Sequence, residues 1–288
     1  MAKIQIVTDG TSSLTLDELK KLGVDCAEMT YVLDGEEHYA FDDEQTTLPE
    51  FYEKLDVVKS ISTGCINPQT FEDIFDKYAS KGTSVIYIGL SAALSATSSN
   101  AAIAAANLEK KYGKQMVYIV DTRQAGGSYA LYALIEYAKD YIKEGKSAAE
   151  VLELLNEKAA NTSFAFVARD LNFLHKCGRL SAVGAVIGKM LRVVPLIYAD
   201  KETGKFKVGD KCLGTKLAYK TLKNKFIKLI NENGYKKAYI TSCALDSDAE
   251  DLKNYILANT TGVEVKVGYI DKVLSCCCGP KTLALFCV

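Results

Sequence analysis

SVIYIGLSAALS, residues 84–95, decides the fold. A near-continuous apolar run gives way at Gly89 to small and hydroxyl-bearing residues, and an Ala-rich helical stretch follows to about Lys111. Apolar runs without alternation mark strands buried on both faces, as in parallel sheets. The same order occurs twice more. KIQIV at 3–7 passes into TDGTSS at 8–13 and a helix with Asp17 and Glu18 in its first turn. QMVYIV at 115–120 passes into DTRQAGG at 121–127 and a long helix to about Glu144. Strand, polar turn and helix repeated three times predict a Rossmann-like α/β domain, its parallel sheet covered on both faces. Ligands of such sheets bind beyond the carboxyl ends of the strands, where all three polar turns lie.

A helix over 147–161 leads out of this unit, and the second half mixes its elements. Strands are expected at 164–168, 193–199, 205–211, 237–243 and 263–270, with a last one ending at Val288. Between them come a helix carrying Arg179 and running over 180–191, helices over 217–233 and 247–259, a turn at 202–204 and another at 275–280. That order predicts a smaller α/β domain with a mixed sheet. At 288 residues the chain exceeds the usual single-domain size, so two domains sharing a cleft are expected, 1–160 and 161–288.

Charge excludes some functions. With 35 basic and 36 acidic residues the net charge is −1, which leaves no field to concentrate nucleic acid. The apolar tract at 180–198 carries Lys189, Arg192 and Pro195, too polar for a membrane span, and its Gly184/Gly188 pair is not a membrane dimer motif. The opening MAKIQIVTDG has no cationic lead or cleavage site, so a cytoplasmic protein is expected. Nine cysteines occur without any C-x-x-C spacing. Cys276, Cys277 and Cys278, placed on an extended chain, would alternate in direction and could not share one tetrahedral ion. Reduced thiols and no metal are expected, with redox chemistry at the triplet as the other reading.

A nucleophilic hydrolase finds little support. Only His38 and His175 offer imidazoles; His38 reads as a solvated loop residue and His175 as a surface helix position. There is no G-x-S-x-G elbow, and Gly145-Lys146-Ser147 resembles a phosphate loop whose first glycine is replaced by Asp140. Asp9 and Asp121, at strand ends, could hold Mg²⁺ in a phosphotransferase-like enzyme or could cap helices. The hydroxyl-rich turns say more. Thr63 stands beside Gly64, before a helix beginning near Pro68, and Ser91, Ser95, Ala96 and Thr97 open the Ala-rich helix. Neutral hydroxyls and unpaired N–H groups at helix starts can hold a carboxylate without a cation; equally, such residues can simply be N-caps. The Ala-rich helix allows either close packing or a tunnel wall for an acyl chain.

These turns, in this order, resemble the DegV family along essentially the whole chain. The resemblance is carried by Thr8-Asp9-Gly10-Thr11, Thr63 to Pro68 with Phe71, Leu94-Ser95-Ala96-Thr97, Asp121-Thr122 with Gly126-Gly127, Cys177-Gly178-Arg179-Leu180-Ser181 with Gly188 and Pro195, and Cys277-Cys278-Gly279-Pro280-Lys281. It implies non-catalytic binding of a long-chain fatty acid, palmitate-like, between two α/β domains, with Thr63 and Ser95 on the carboxylate. Gly64, Ala96, Thr97, Asp9 and Cys277 are further candidate contacts. Some family members present the acid to a fatty acid kinase, for which Arg179 is a candidate contact. The chain departs from the family in three places: Cys277 stands where the family has His, Lys281 where it has Gly, and Leu213 where kinase-associated members have Arg.

Overall fold

Val7, Thr8 and Asp9, with no exposed surface, fill the middle of the first sheet. In the computed structural model, which describes residues 3–41, 46–180 and 193–288, the N-terminal half runs β1 (Ile4–Asp9), α1 (Leu16–Leu22), β2 (Asp25–Ala27), β3 (Thr30–Leu33), β4 (Glu36–Tyr39), α2 (Leu48–Leu55), β5 (Ile61–Thr63), α3 (Pro68–Ala79), β6 (Ser84–Ile88), α4 (Thr97–Tyr112), β7 (Val117–Ile119), α5 (Tyr129–Lys143) and α6 (Ala148–Ala160). The sheet has the order β2-β1-β6-β7 and every pairing is parallel. The Thr8 hydroxyl donates to the Ile88 carbonyl at 2.7 Å, locking β1 to β6 where both strands end. Thr15, Thr47 and Ser147 each form a reciprocal capping box with the Glu three residues on, so α1, α2 and α6 begin where the sequence satisfies their first amides.

The C-terminal half runs β8 (Ser163–Ala168), α7 (Asn172–Lys176), β9 (Val193–Ala199), β10 (Phe206–Leu213), α8 (Thr215–Asn233), β11 (Lys237–Ser242), α9 (Asp246–Asn259), β12 (Glu264–Tyr269), α10 (Lys272–Cys278) and β13 (Thr282–Cys287). Its sheet, β10-β9-β8-β13-β11-β12, is mixed: β11 and β12 are parallel and the other neighbours antiparallel. The α/β class expected from the sequence, with a parallel sheet in the first half and a mixed sheet in the second, is the one observed. Helix α5 lies between the sheets, packing on β1 and β6 and on β11 and β13. Its Glu136 accepts from the Tyr239 hydroxyl at 2.5 Å and pairs with Lys237 at 3.4 Å.

Three expectations need correction. Residues 30–63 contribute a separate antiparallel sheet, β4-β3-β5, and His38 is not a loop residue. It stands in β4 opposite Tyr31, ring centroids 5.2 Å apart. The turn that makes this hairpin is Asp34-Gly35, both at positive φ (50° and 92°), the backbone a two-residue hairpin demands. Next, residues 275–278, expected as a turn, belong to helix α10. Its side chains step round by about 100°, so Cys276 is buried while Cys277 and Cys278 keep some exposure. Finally, Arg179 lies in a turn after α7 rather than in a helix. The helix expected over 180–191 lies outside the described residues apart from Leu180, as do Ser181, Gly184, Gly188, Lys189 and Arg192. His175 is exposed on α7, as expected.

Candidate functional site

The Ser95 turn follows β6 at the end of the parallel sheet, and Thr63 ends a strand of the small antiparallel sheet. Thr63 closes β5 opposite Tyr31, and the adjacent Gly64 amide donates to the Thr30 carbonyl at 2.9 Å. A Cβ at Gly64 would sit 2.3 Å from Thr30 Oγ1, so a larger residue there would displace the Thr30 side chain, and the Gly64 amide is engaged within the fold and is not available to a ligand. The capping of α3 falls to Asn67, whose Oδ1 accepts from the Thr70 amide at 2.9 Å. Thr63 Oγ1 is therefore no cap. Its side-chain partner is Cys277 Sγ at 3.9 Å.

Ser95 is more committed. Its Oγ accepts from the Thr97 amide at 3.2 Å and donates to Thr97 Oγ1 at 3.0 Å. Any acceptor arriving at Ser95 competes with Thr97, which is fully buried beneath it. Ala96 offers no side-chain cap to α4. Arg179 reaches this turn from the other domain, Nε donating to the Leu94 carbonyl at 3.0 Å and the guanidinium also bonding the Cys177 carbonyl. Thr63, Cys277, Cys177, Arg179 and Leu94 thus form a continuous path of contacts across the boundary, and Ser95 follows Leu94 directly. Hydrogen bonding from Cys177, the Arg179 charge and the Thr63 hydroxyl hold the Cys277 thiol below the ordinary thiol range, against burial.

Behind this path lies a narrow apolar cavity of about 60 Å³, smaller than the usual small-molecule site. Strand alternation builds its floor. Thr282, Ala284 and Phe286 of β13 and Phe164 and Phe166 of β8 point into it, while Leu283, Leu285, Ala165 and Val167 point to the opposite core under α8 and α9. Phe164 and Phe286 stack with centroids 4.6 Å apart. Leu90 and Leu94, Leu174 of α7, and Leu274 and Cys277 of α10 close the remaining sides. No residue of α4 lines it; the alanines at 101 and 104 are instead packed into the core with α3 and β7 residues.

Asp9 does not face this space. Its Oδ1 accepts from the Thr11 amide and hydroxyl at 3.0 and 2.5 Å, and its Oδ2 from the Tyr87 hydroxyl and Leu90 amide at 2.7 and 2.8 Å. Four internal donors and full burial make it a scaffold residue, which corrects its candidacy as a ligand contact. Asp121 is exposed and paired with Arg123. Among the described residues no group of three or more His, Cys, Asp or Glu side chains is arranged to hold a metal, and no helix is long and apolar enough to cross a membrane.

Sequence reading missed a second polar cluster. Asp271 caps α10, accepting from the Leu274 amide at 2.8 Å, and takes the Ser13 hydroxyl at 2.7 Å. Ser13 contacts Ser128 at 2.9 Å, and Ser128 donates to Thr241 at 3.2 Å. The carboxyl is pushed up from 3.8 to about 7, chiefly by burial and further by nearby Asp9, against the bonds from Leu274 and Ser13. Below about pH 4 the group is protonated in both folded and unfolded chains. Between about 4 and 7 only the unfolded chain releases its proton, so stability falls as pH rises. A shift of that size corresponds to about 4 kcal/mol at most, and partial exposure of the residue lowers the expectation to about 2 kcal/mol. Asp271→Asn keeps the cap acceptor and should flatten this loss. Urea midpoints at pH 5 and 8 that change equally in both proteins would exclude Asp271 as its source.

Comparison with known proteins places the same fold elsewhere. A family model described as an uncharacterised protein of the DegV family matches residues 3–288. A DegV domain-containing protein of Clostridium perfringens is 30% identical over 286 residues, covering 99% of this chain and 97% of its own. Among solved structures, a DegV family protein from Thermus thermophilus, reported for its fatty acid binding, superposes with a TM-score of 0.85 at 24% identity over 99% of each chain. One from Eubacterium eligens, loaded with heptadecanoic acid, gives 0.82 at 20% identity over 99% of each chain.

Proposed function

The chain belongs to the DegV family, and from that premise we propose that it binds a long-chain fatty acid without catalysing a reaction on it. The observation that carries this reading is the cavity: a narrow space of about 60 Å³ walled by aromatic and aliphatic carbon, with Cys277 in its wall and the Thr63 hydroxyl in contact with Cys277. Relatives described as fatty acid binding, one of them loaded with heptadecanoic acid, support it. The acyl chain lies along the cavity, whose walls part to admit it, and the carboxylate sits at Thr63 and Ser95, with Cys277 beside Thr63. Burying about fifteen methylenes at ~0.8 kcal/mol each gives a gross gain of ~12 kcal/mol, much of it offset by ordering and association costs. The tail supplies affinity; the hydroxyls select an acid over an ester.

We extend the proposal to transport of the acid or its presentation to the ATP-binding subunit of a fatty acid kinase. Leu213, exposed at the end of β10, Leu217, exposed in the first turn of α8, and Arg179 belong to the surface such a partner would read. Nine free thiols fit the reducing cytoplasm, and we place the domain division at 160/161, between α6 and β8.

A double substitution, Thr63→Ala with Ser95→Ala, tests the head-group assignment. A hydrogen bond to a charged group is worth about 1.5–3 kcal/mol, and Ser95 gives up its bond to Thr97, so a net loss of about 2 kcal/mol, roughly 30-fold in palmitate affinity, is expected. Calorimetric titration of the delipidated, folded variant measures it. Equal affinities would remove Thr63 and Ser95 from the site. Mass spectrometry of lipid extracted from the purified protein identifies the acid, and the absence of any stoichiometric acyl chain would count against the whole reading.

A further inference from the structure

Cys177 follows the last turn of α7, and Cys277 lies on α10, where it lines the cavity. The Cys177 S–H also lies 3.5 Å from the Cys276 carbonyl, which seats this sulfur on the backbone just before Cys277. The two helices are closely packed here: a Cβ on Gly279 would come within 2.6 Å of the Phe173 ring. Both thiols are partly exposed, whereas Cys243 is buried. Arg179, bonded to the Cys177 carbonyl, adds positive charge at the pair.

We propose that Cys177 and Cys277 form a reversible disulfide that disables the mouth of the cavity, so that oxidation releases the fatty acid. The release half rests on the fatty-acid reading above. Leu174 of α7 and Leu274, Cys277 and Cys278 of α10 are all walls of the cavity. A disulfide fixes its two Cβ atoms at about 3.8 Å, ties those walls together, and takes the Cys277 S–H away from Thr63. With hydrogen peroxide as oxidant, the Cys277 thiolate attacks one peroxide oxygen. The O–O bond breaks, hydroxide leaves, and Cys277 becomes a sulfenic acid. The Cys177 sulfur then attacks the Cys277 sulfur; the S–S bond forms, the S–O bond breaks, and the departing hydroxide leaves as water with the Cys177 proton. Two thiols and one peroxide give one disulfide and two waters. Cys277 is the first nucleophile because its thiol is the one held below the ordinary range.

The test uses the full, reduced, delipidated chain treated with hydrogen peroxide, blocked with N-ethylmaleimide and mapped by peptide mass spectrometry. A Cys177–Cys277 link is expected, lost in Cys177→Ser and in Cys277→Ser and kept in Cys243→Ser and Cys278→Ser. A link from Cys177 to Cys276 or Cys278, a Cys243–Cys278 link alone, or sulfinic acid without any link overturns the proposal. Palmitate titration of the oxidised protein should give about tenfold weaker affinity, restored by dithiothreitol, with Cys177→Ser indifferent to peroxide. A disulfide that leaves affinity unchanged overturns the release step. If the reduced protein binds no palmitate, the fatty-acid reading fails while the mapped disulfide stands, so the two failures are distinguishable.

Discussion

Asp9→Ala should lower the unfolding free energy by about 3–5 kcal/mol while leaving the palmitate affinity of the remaining folded protein unchanged. The Asp9 carboxyl group satisfies the Thr11 amide and hydroxyl, the Tyr87 hydroxyl and the Leu90 amide, all inside the protein. Removing it strands four buried donors at once, each of which costs about 1–3 kcal/mol when left unmade, less whatever relaxation or an entering water recovers. The surroundings leave little room for relaxation. A Cβ at Gly89 would lie 2.0 Å from the Tyr87 hydroxyl and 2.5 Å from Asp9 Oδ2, so the chain passes directly over this bond. Tyr87→Phe removes a single donor together with its partner contact and should cost only about 1 kcal/mol. Urea denaturation followed by circular dichroism measures both. A stable Asp9→Ala protein that has lost palmitate binding would show that Asp9 serves the ligand and not the scaffold.

Asp9 also marks where sequence reading stops. As a strand-end aspartate it was open to a ligand, metal or capping role, because the donors that claim it, Tyr87 and Leu90, lie about eighty residues on. Strands β1, β6 and β7 were legible because each is a mostly apolar run ending in a polar turn and followed by a helix. The small β4-β3-β5 sheet was missed because its strands are short and Glu36 and Glu37 hide the alternation, although Asp34-Gly35 announced the hairpin. The α10 helix was hidden by three cysteines before Gly279-Pro280, residues that suit a turn equally well. Thr63 and Ser95 could be singled out by position, but whether either was merely a cap depended on Asn67 and Thr97, which only the fold decides. The cavity was the least legible feature. Its floor takes every second residue of β8 and β13, strands that pair across more than a hundred residues, and both read simply as apolar.

That floor provides the second large effect. Ala284 lies in register with Phe166 on one side and Thr241 on the other, and all three face the cavity. Alanine, the smallest side chain of a floor otherwise made of phenylalanines and threonines, leaves room where the acyl chain would run. Ala284→Leu places a branched four-carbon side chain in that room, and the cavity can accept it at an overpacking cost of about 1–2 kcal/mol. If the obstruction excludes about half of a sixteen-carbon chain, about 6 kcal/mol of burial is lost at ~0.8 kcal/mol per methylene. Partial rerouting of the tail recovers some of it, so palmitate affinity should fall at least about 100-fold. Octanoate, whose tail ends short of the obstruction if the carboxylate is at Thr63 and Ser95, should bind within about threefold of its affinity for the unaltered protein. Titration of both acids against both proteins therefore reads direction as well as location. Equal losses for the two acids would place Ala284 near the head group and reverse the orientation proposed for the ligand, and no loss for either would move the acyl chain out of this cavity.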